Sequence, residues 1–505
     1  MEKRQTTLKE LLYDAAECFG DEPFIRELDG KSFHDTSFAE LKSHCDAVGA
    51  WIEDNFSEGV HAAVIGATSS EYLTAFFGIQ VCGCVSVPLD NANNAERIAD
   101  EINRSDSTIV FMDDRHAEEL EIFRKLCPQV IVFVHLMHST EGMLFLGDIV
   151  QEYAGRISSI TPAPEDLSAI LFTSGTTGRS KGVMLRHSNL ADNATCEPDL
   201  GYRGWKRLSV LPIHHVFCLT CDILTSLWYG RTVCVNDSLM HVTRNLKKFQ
   251  PDDTTFVPMI SASILNRMEQ MAENGKDRLE IGRTVFGDDF KVIYSGGAYL
   301  SPEITTGFKS FGIDISQGYG MTECSPRICT AVPNNPFPES VGRVVPGCEV
   351  KIVDGEIRVK SPSVMKGYYN DPTETANSLT EDGWLCTGDL GYETDGWLYI
   401  TGRKKNLIIL ANGENVSPEE IENQFAFFRP IKEIIVYESQ QKITAEIYPE
   451  PEYVSNDIQS EIQAKVDKVN ETFPPAKRIT RIVYRETEFE KTASKKIIRS
   501  SVTGP

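Results

Sequence analysis

Short apolar runs alternate with helical patterns through the first part of the chain. Strands are predicted at residues 62–65, 85–87, 108–111 and 130–134, and helices at 71–81, 95–102 and 117–126. The pattern resumes further on, with strands at 208–211, 232–235 and 291–294 and helices at 219–227 and 262–271. Short apolar strands separated by helices are typical of parallel sheets covered by helices on both faces. The sequence therefore predicts one large N-terminal α/β body with layered sheets.

The pattern changes from about residue 333 to short strand-like pieces with frequent turns, which predicts a β-rich subdomain. After the charged segment 403–406, the chain has a small α+β pattern of its own. It contains helices at 418–425 and 458–469 and strands at 431–437 and 443–448. Because a charged segment separates two self-contained patterns, we expect an N-terminal domain at 1–404 and a small, mobile C-terminal domain at 405–505.

The charge balance excludes some classes of partner. The 505 residues include 50 basic and 73 acidic side chains, a net charge of −23, which disfavours non-specific binding to nucleic acid or anionic lipid. The chain begins with a polar segment and contains no run of 18 apolar residues, so we expect no signal peptide and no transmembrane segment. An odd number of cysteines, 13, without a framework of spacings fits reduced thiols. A cytoplasmic protein is predicted.

A loop rich in glycine and hydroxyl side chains joins predicted strands at 169–172 and 183–185. Glycines let the backbone approach an anion, hydroxyls donate hydrogen bonds, and a lysine adds positive charge, a mixture that suits a polyphosphate. The loop differs from the common nucleotide-binding loop, because glycine and a strand follow its lysine. The alternative is a flexible connector. We favour phosphate binding by Thr173, Ser174, Gly175, Thr176, Thr177, Gly178 and Lys181.

Further motifs follow in a fixed order. They are L-P-I-H-H-V-F at 211–217, S-G-G-A at 295–298, G-Y-G-M-T-E at 318–323, W-L-C-T-G-D-L-G at 384–391, G-R at 402–403, A-N-G-E-N-V-S-P at 411–418 and K-T-A-S-K-K-I-I-R at 491–499. Taken alone, most of these are ordinary turns, a helix start or a basic tail. In this order they resemble the adenylate-forming superfamily of acyl-CoA synthetases, luciferases and nonribosomal adenylation domains.

The resemblance implies roles in nucleotide binding. Tyr319 would stack on adenine, Thr322 would touch the α-phosphate, and Glu323 would bind Mg²⁺. These residue types suit the roles, because an aromatic face fits a purine and a carboxylate beside a phosphate needs a divalent ion. Asp389, with Arg403, would hold the ribose hydroxyls, since a carboxylate accepts from two donors.

Other roles are likewise implied by the resemblance. Gly297 and Ala298 would bring the backbone against the adenylate, and His215 would lie by the acyl pocket. Lys405 would be the hinge of the small domain, and the segment with Gly413 would line a thiol tunnel. Alignment through the final isoleucine and arginine makes Lys496 the catalytic lysine. Lys495 stands where the family usually has glycine, so the question whether Lys495 shares the catalytic role of Lys496 stays open.

The implied activity is a two-step ligase reaction with ATP and Mg²⁺, in which a carboxylic acid becomes an acyl-AMP and is then passed to a thiol. Phe217 stands where amino-acid-activating domains have an aspartate that pairs with the substrate amine. An α-amino acid is therefore disfavoured, since a buried ammonium without a partner is costly, and a fatty or aromatic acid fits better. CoA is the first candidate acceptor. Two alternatives remain: loading of the phosphopantetheine of a separate acyl or peptidyl carrier protein, and a catalytically inactive family member with a binding role.

Overall fold

The computed structural model of the protein describes residues 6–173, 180–197, 201–331, 335–410, 414–440, 442–491 and 497–499. The first part of the chain contributes most of one large sheet and its helices. Its elements are α1 (Leu8–Phe19), β1 (Pro23–Asp29), β2 (Ser32–Ser37), α2 (Phe38–Asn55), β3 (His61–Ile65), α3 (Ser70–Val81), β4 (Val85–Leu89), α4 (Ala95–Arg104), β5 (Ser107–Met112), α5 (Asp114–Ala117), α6 (Leu120–Leu126), β6 (Val132–His135), β7 (Leu144–Phe145), α7 (Leu146–Glu152), β8 (Leu167–Thr173), β9 (Lys181–Arg186) and α8 (His187–Ala194).

The strands that this part of the chain contributes to the first sheet have the order β9-β8-β4-β3-β5-β6-β7, and a short strand from later in the chain lies beside β9. All neighbours are parallel except β8 and β9, which form an antiparallel pair with Thr173 opposite Lys181. The predicted strand–loop–strand arrangement around the glycine-rich segment is thus confirmed at both of its ends. The predicted helix at 117–126 is wrong in its start, because α5 and α6 are separate helices joined by a turn.

The middle of the chain builds a second sheet. Its elements are β10 (Lys206–Ser209), a π-helical segment (Phe217–Leu224), α9 (Thr225–Tyr229), β11 (Thr232–Val235), a 3₁₀ turn (Leu239–His241), α10 (Val242–Phe249), β12 (Asp253–Phe256), α11 (Pro258–Glu273), α12 (Arg278–Phe286), β13 (Val292–Ser295), α13 (Pro302–Ser310), β14 (Asp314–Gly320), a 3₁₀ turn (Thr322–Cys324), β15 (Arg327–Thr330) and β16 (Arg343–Val344).

The second sheet has the order β16-β15-β14-β13-β12-β10-β11-β1-β2 in the part of the chain that the structure describes. The run from β14 to β1 is parallel, so the carboxyl ends of β10, β12, β13 and β14 meet at one edge. In parallel α/β sheets this edge is where ligands bind. It is also where the motifs at 211–217, 295–298 and 318–323 begin.

A layer of helices shared by both sheets forms the centre of the large domain. Its apolar core contains side chains of α2, α3 and strands from both sheets, while separate cores lie under α4 and α6 and under α10 to α13. Helices α2 and α3 cross closely at two glycines. A Cβ on Gly49 would lie 2.5 Å from Cγ2 of Val81, and one on Gly78 would lie 2.5 Å from Cγ1 of Val48, so only glycine fits at either position.

The β-rich subdomain follows. Its elements are β17 (Glu349–Val353), β18 (Glu356–Lys360), β19 (Gly367–Tyr368), α14 (Pro372–Ser378), β20 (Leu385–Thr394), β21 (Trp397–Arg403) and a 3₁₀ turn (Lys404–Asn406). Strands β17, β18, β20 and β21 make an antiparallel sheet. The short strand β19 is not part of this sheet. It pairs antiparallel with β9 of the first sheet. It therefore brings the subdomain against the strand that begins at Lys181.

The C-terminal residues form a small α+β unit. Its elements are β22 (Ile408–Ile409), β23 (Asn415–Val416), α15 (Pro418–Glu422), a 3₁₀ turn (Asn423–Phe425), β24 (Ile431–Ser439), β25 (Lys442–Pro449), α16 (Ile458–Thr472), a 3₁₀ turn (Pro475–Lys477) and β26 (Arg481–Tyr484). Strands β24, β25 and β26 form a sheet with its own apolar core under α15 and α16. The predicted fold class, a layered α/β body with a β-rich subdomain and a small α+β domain, is confirmed.

Candidate active site

The two ends of the glycine-rich loop are held firmly. The Thr173 hydroxyl donates to the Lys181 carbonyl over 3.5 Å, and Ser180 is tied to α4. The Ser180 hydroxyl donates to Oε1 of Glu101 over 2.8 Å, and Arg104 donates to the Ser180 carbonyl over 2.6 Å. The predicted phosphate ligands Ser174, Gly175, Thr176, Thr177 and Gly178 lie outside the described residues.

Lys181 points towards the β-rich subdomain. Its Nζ forms an ion pair with the Glu374 carboxylate on α14 and lies 4.9 Å from the centre of the Tyr368 ring. Tyr368 is in β19, opposite Val183 of β9, so the strand pairing itself brings the ring to the lysine. No sequence motif indicates Tyr368 or Glu374 as site residues, because both contacts depend on this long-range pairing.

Glu323 lies in the turn after β14. Its Oε1 accepts a hydrogen bond from the Tyr368 hydroxyl over 2.8 Å, and its carbonyl accepts from the Met365 amide over 2.9 Å. The turn needs glycine at its start, because a Cβ on Gly320 would lie 2.0 Å from the Pro326 carbonyl oxygen. Thr322 is the first residue of the same turn. Tyr368 thus bridges Lys181 and Glu323, two residues from distant motifs.

Tyr319, Asp389 and Arg403 form a second cluster. The Tyr319 hydroxyl donates to Oδ2 of Asp389 over 2.7 Å, and Nε of Arg403 lies 2.7 Å from Oδ1. Asp389 and Arg403 are directly opposite each other in β20 and β21. The Asp389 side chain is 6% exposed and that of Arg403 46% exposed, so the carboxylate is held inside with its cation at the surface. Burial and the nearby carboxylate raise the pKa of the Tyr319 hydroxyl well above its usual value.

The segment after β13 runs beside the end of β14. Gly297 has a φ of +80°, in the left-handed region that favours glycine, and Gly297 and Ala298 are both exposed. A Cβ on Gly296 would lie 3.0 Å from the Phe217 ring, so this ring packs against the backbone of the segment. The structure therefore brings Phe217 next to the predicted adenylate contact.

The two adjacent histidines differ. His214 is buried, its ring centre lies 4.4 Å from that of His215, and its Nε2 lies 3.6 Å from Oδ1 of Asp90. Burial lowers the pKa of His214 to about 3, so this ring is neutral near pH 7. His215, the predicted pocket residue, is exposed in a bend two residues before the π-helical segment. Its place beside a substrate stays a prediction.

Asp222 is a buried carboxylate in the π-helical segment, and it already has partners. It accepts hydrogen bonds from the hydroxyls of Thr255 over 2.5 Å and Ser209 over 3.1 Å. Nη1 of Arg207 lies 3.5 Å away, and Arg207 also makes two bonds to Asp253. Burial raises the pKa of Asp222 to about 6. This network fills the sheet interior, and sequence patterns did not indicate it.

The link to the small domain lies directly after Arg403. Lys405 is in the 3₁₀ turn that ends β21, and its neighbour Lys404 pairs with Glu356 over 3.0 Å. Across the link, the Ser417 hydroxyl donates to the Thr401 carbonyl over 2.7 Å. The predicted residues Gly413, Lys495 and Lys496 lie outside the described residues.

A separate group of potential metal ligands lies towards the opposite edge of the first sheet from β9. Oδ1 of Asp114 is 3.4 Å from Nε2 of His135 and 3.3 Å from Nδ1 of His138. However, Nδ1 of His135 accepts the amide N–H groups of Met137 and His138, each over 3.1 Å. Neutral His135 therefore carries its proton on Nε2, which leaves that nitrogen without a lone pair for a metal. We assign no metal to this group.

The chain resembles known proteins in its sequence. The family model for AMP-binding enzymes matches residues 12–369, and that for the AMP-binding enzyme C-terminal domain matches residues 405–504. Long-chain-fatty-acid–CoA ligase FadD15 of Mycobacterium bovis is 28% identical over 446 residues, which cover 78% of this chain and 74% of the relative. For 4-coumarate-CoA ligase 1 of Narcissus pseudonarcissus the identity is 26% over 433 residues, covering 80% and 76%.

The fold is shared with solved structures. The crystal structure of the anthranilate CoA ligase AuaEII in complex with anthranoyl-AMP matches with a TM-score of 0.85 at 20% identity, covering 98% of this chain and 96% of that one. At this identity the likeness shows the fold alone. Within the ranges that the structure describes, no helix combines the length and the apolar character needed to cross a membrane.

Proposed function

Because the chain belongs to the AMP-binding enzyme family, we propose that it is an AMP-forming acid–thiol ligase that converts a fatty or aromatic acid to an acyl-AMP and then to an acyl-CoA. The observation that carries the proposal is the end of β14. There Tyr319 contacts Asp389, and Glu323 contacts Tyr368, whose ring also contacts Lys181. One strand end joins a cluster suited to a nucleoside and a cluster suited to phosphates.

The nucleoside cluster offers a rigid acceptor. The Asp389 carboxylate is fixed by Tyr319 and Arg403, and a carboxylate has acceptor sites beyond those two contacts. We propose that these sites bind the ribose hydroxyls and that the Tyr319 ring lies against adenine. Because the acceptor is a carboxylate in an ion pair with Arg403, hydrogen bonds from ribose to it would be of the stronger, charge-assisted kind.

The phosphate cluster offers the cation of Lys181 and the carboxylate of Glu323. We propose that Lys181, with the loop from Thr173, holds the β- and γ-phosphates, and that Thr322 contacts the α-phosphate. The single carboxylate of Glu323 fits Mg²⁺, which is usually held by one or two carboxylates together with substrate phosphates. When bound, the ion would neutralise phosphate charge. Lys181, beside the Tyr368 ring, would add to that neutralisation.

The chemistry that we propose has two half-reactions. In the first, an oxygen of the substrate carboxylate attacks the α-phosphorus, the bond to the bridging oxygen breaks, and pyrophosphate leaves. Lys496 would stabilise the oxygens at the reacting centre. In the second, the small domain would turn about Lys405, the segment with Gly413 would face the thiol, and sulfur would replace AMP on the acyl carbon.

The surroundings of Phe217 support an acid without an amine. The Phe217 ring packs against Gly296, and by the family resemblance Phe217 stands where amino-acid-activating domains have an aspartate. The nearby buried carboxylate, Asp222, is engaged by Thr255, Ser209 and Arg207. A buried ammonium would therefore lack a partner, which is costly. His215 would lie at the pocket entrance, in keeping with its exposure.

We further propose that the functional boundary lies between residues 404 and 405, so that the adenylating domain and the mobile domain meet at the 3₁₀ turn after β21. A cytoplasmic location is supported by the 13 cysteines, all of which have free thiols.

Mass spectrometry of reaction products tests the proposal. The protein is incubated with Mg-ATP, CoA and a pool of fatty, aromatic and amino acids. We expect an acyl-CoA of a fatty or aromatic acid, lost in Glu323→Gln and retained in Glu381→Gln, an exposed carboxylate on the surface. If acyl-AMP forms without acyl-CoA, the acceptor is a carrier protein and not CoA. ATP binding without any product would contradict the ligase and favour an inactive binding protein.

A further inference from the structure

Glu374 is the unexpected partner of the lysine at the end of the glycine-rich loop. It is the third residue of α14, and its carboxylate forms the ion pair with Nζ of Lys181. The Lys181 side chain is 27% exposed and that of Glu374 38% exposed, so solvent and small anions can reach both. The pair is therefore open to exchange.

The position of Glu374 is fixed by its helix. The Asp371 side chain caps α14 by accepting the Glu374 amide over 3.0 Å, and the Thr375 hydroxyl accepts the Tyr368 amide over 2.9 Å. Helix α14 is thereby fastened to β19, which pairs with β9. The backbone that carries the Glu374 side chain is therefore held in place by hydrogen bonds, unlike the backbone of a free loop.

Tyr368 contacts both Lys181 and Glu323. Its hydroxyl donates to Glu323, while the face of its ring lies beside the lysine. The ion pair of Lys181 is formed with Glu374. Glu374 is therefore the anion that Lys181 contacts before nucleotide binds.

A phosphate and a carboxylate compete for the same ammonium group. Lys181 carries one positive charge, so contact with a triphosphate either breaks the Glu374 pair or leaves two anions beside one cation. The hydrogen bond from Lys181 lowers the pKa of Glu374, so the carboxylate stays charged across the neutral range. Glu374 consequently opposes the binding of any phosphate ligand at Lys181.

We propose that Glu374 is a competing counter-ion, which Lys181 exchanges for a phosphate of ATP and takes back when pyrophosphate leaves. The inference rests on the proposed function, because it needs Lys181 to hold the β- and γ-phosphates. Its consequence is weaker binding of ATP and pyrophosphate and faster release of pyrophosphate. An exposed ion pair changes an equilibrium by up to about fivefold, and removal of like-charge repulsion acts in the same direction.

Isothermal titration calorimetry with inorganic pyrophosphate and with ATP tests this proposal without knowledge of the acid. We expect Glu374→Gln to bind both ligands about three- to tenfold more tightly than the wild type at low salt. The gain should shrink at high salt. Glu381→Gln, an equal loss of charge at a nearby exposed position, should leave the affinity within twofold. Unchanged or weaker pyrophosphate binding in Glu374→Gln would overturn the proposal.

A double mutant isolates the role of Lys181. In a Lys181→Ala background we expect the further change Glu374→Gln to alter pyrophosphate affinity less than twofold. An equal gain in both backgrounds would overturn an exchange at Lys181. Because misfolding weakens binding rather than strengthening it, the expected direction cannot arise from damage to α14. Failure of the wild type to bind ATP at all would instead reject the proposed function and this inference with it.

Discussion

The exchange Asp389→Asn tests the nucleoside cluster. The side chain keeps its size and one acceptor oxygen, but the second oxygen becomes an amide that donates. One charge-assisted bond to ribose is lost, and bonds of that kind contribute about 1.5–3 kcal/mol. We therefore expect the Kd for AMP and ATP to rise about 10- to 150-fold. The fold should survive, because Arg403 is 46% exposed and its pair with Asp389 contributes at most about 1 kcal/mol.

Calorimetry with AMP and 2′-deoxy-AMP tells a specific ribose contact from general damage. In the wild type, loss of the 2′-hydroxyl should weaken binding about tenfold, since it removes one of the two donors to Asp389. In Asp389→Asn, loss of the 2′-hydroxyl should weaken binding less than twofold. Asp395→Asn is the matched control, at an exposed residue in the turn between β20 and β21 with a φ of +52°, which asparagine tolerates. An equal penalty for 2′-deoxy-AMP in wild type and Asp389→Asn would refute the assignment.

Three further predictions concern the catalytic lysine, the hinge and acid stability. Lys496→Ala should lower adenylation about 10²- to 10³-fold in ATP–pyrophosphate exchange, with little effect from Lys495→Ala; the reverse ranking would shift the role to Lys495. Lys405→Pro should slow thioester formation more than adenylation, each measured as a single turnover, and equal loss of both would count against a hinge. Burial lowers the pKa of His187 to about 4, so the folded state resists protonation, and stability should fall as pH drops from about 6.5 towards 4. His187→Asn, which can still accept from the Leu8 amide, should flatten that part of the pH dependence of the melting temperature, and an unchanged slope would contradict it.

Local chemistry explains which parts of the fold the sequence predicted well. The strand predicted at 232–235 matches the structure to the residue, because an apolar run bounded by turn residues determines it locally. The helix predicted at 219–227 begins instead as a π-helical segment. There the Thr225 hydroxyl donates to the carbonyl of Thr220, five residues earlier, and Asp222 turns inward to Ser209 and Thr255. Such wide turns follow from the packing of side chains, which the periodicity of apolar residues in the sequence does not indicate.

The candidate site divides in the same way. Asp389 and Arg403 were predicted from their motifs, and the register of β20 and β21 places them opposite each other. The partnership of Lys181 with Tyr368 and Glu374 depends instead on two residues of β19 that cross from one sheet to another. Nothing in a segment that short specifies its partner strand. Since Tyr368 also engages Glu323, the pairing of β19 with β9 determines that one side chain contacts both the cation and the carboxylate of the phosphate cluster. A motif can thus indicate which groups are expected to bind ATP. The contacts that these groups make before ATP binds, and must break to bind it, are determined by the tertiary fold.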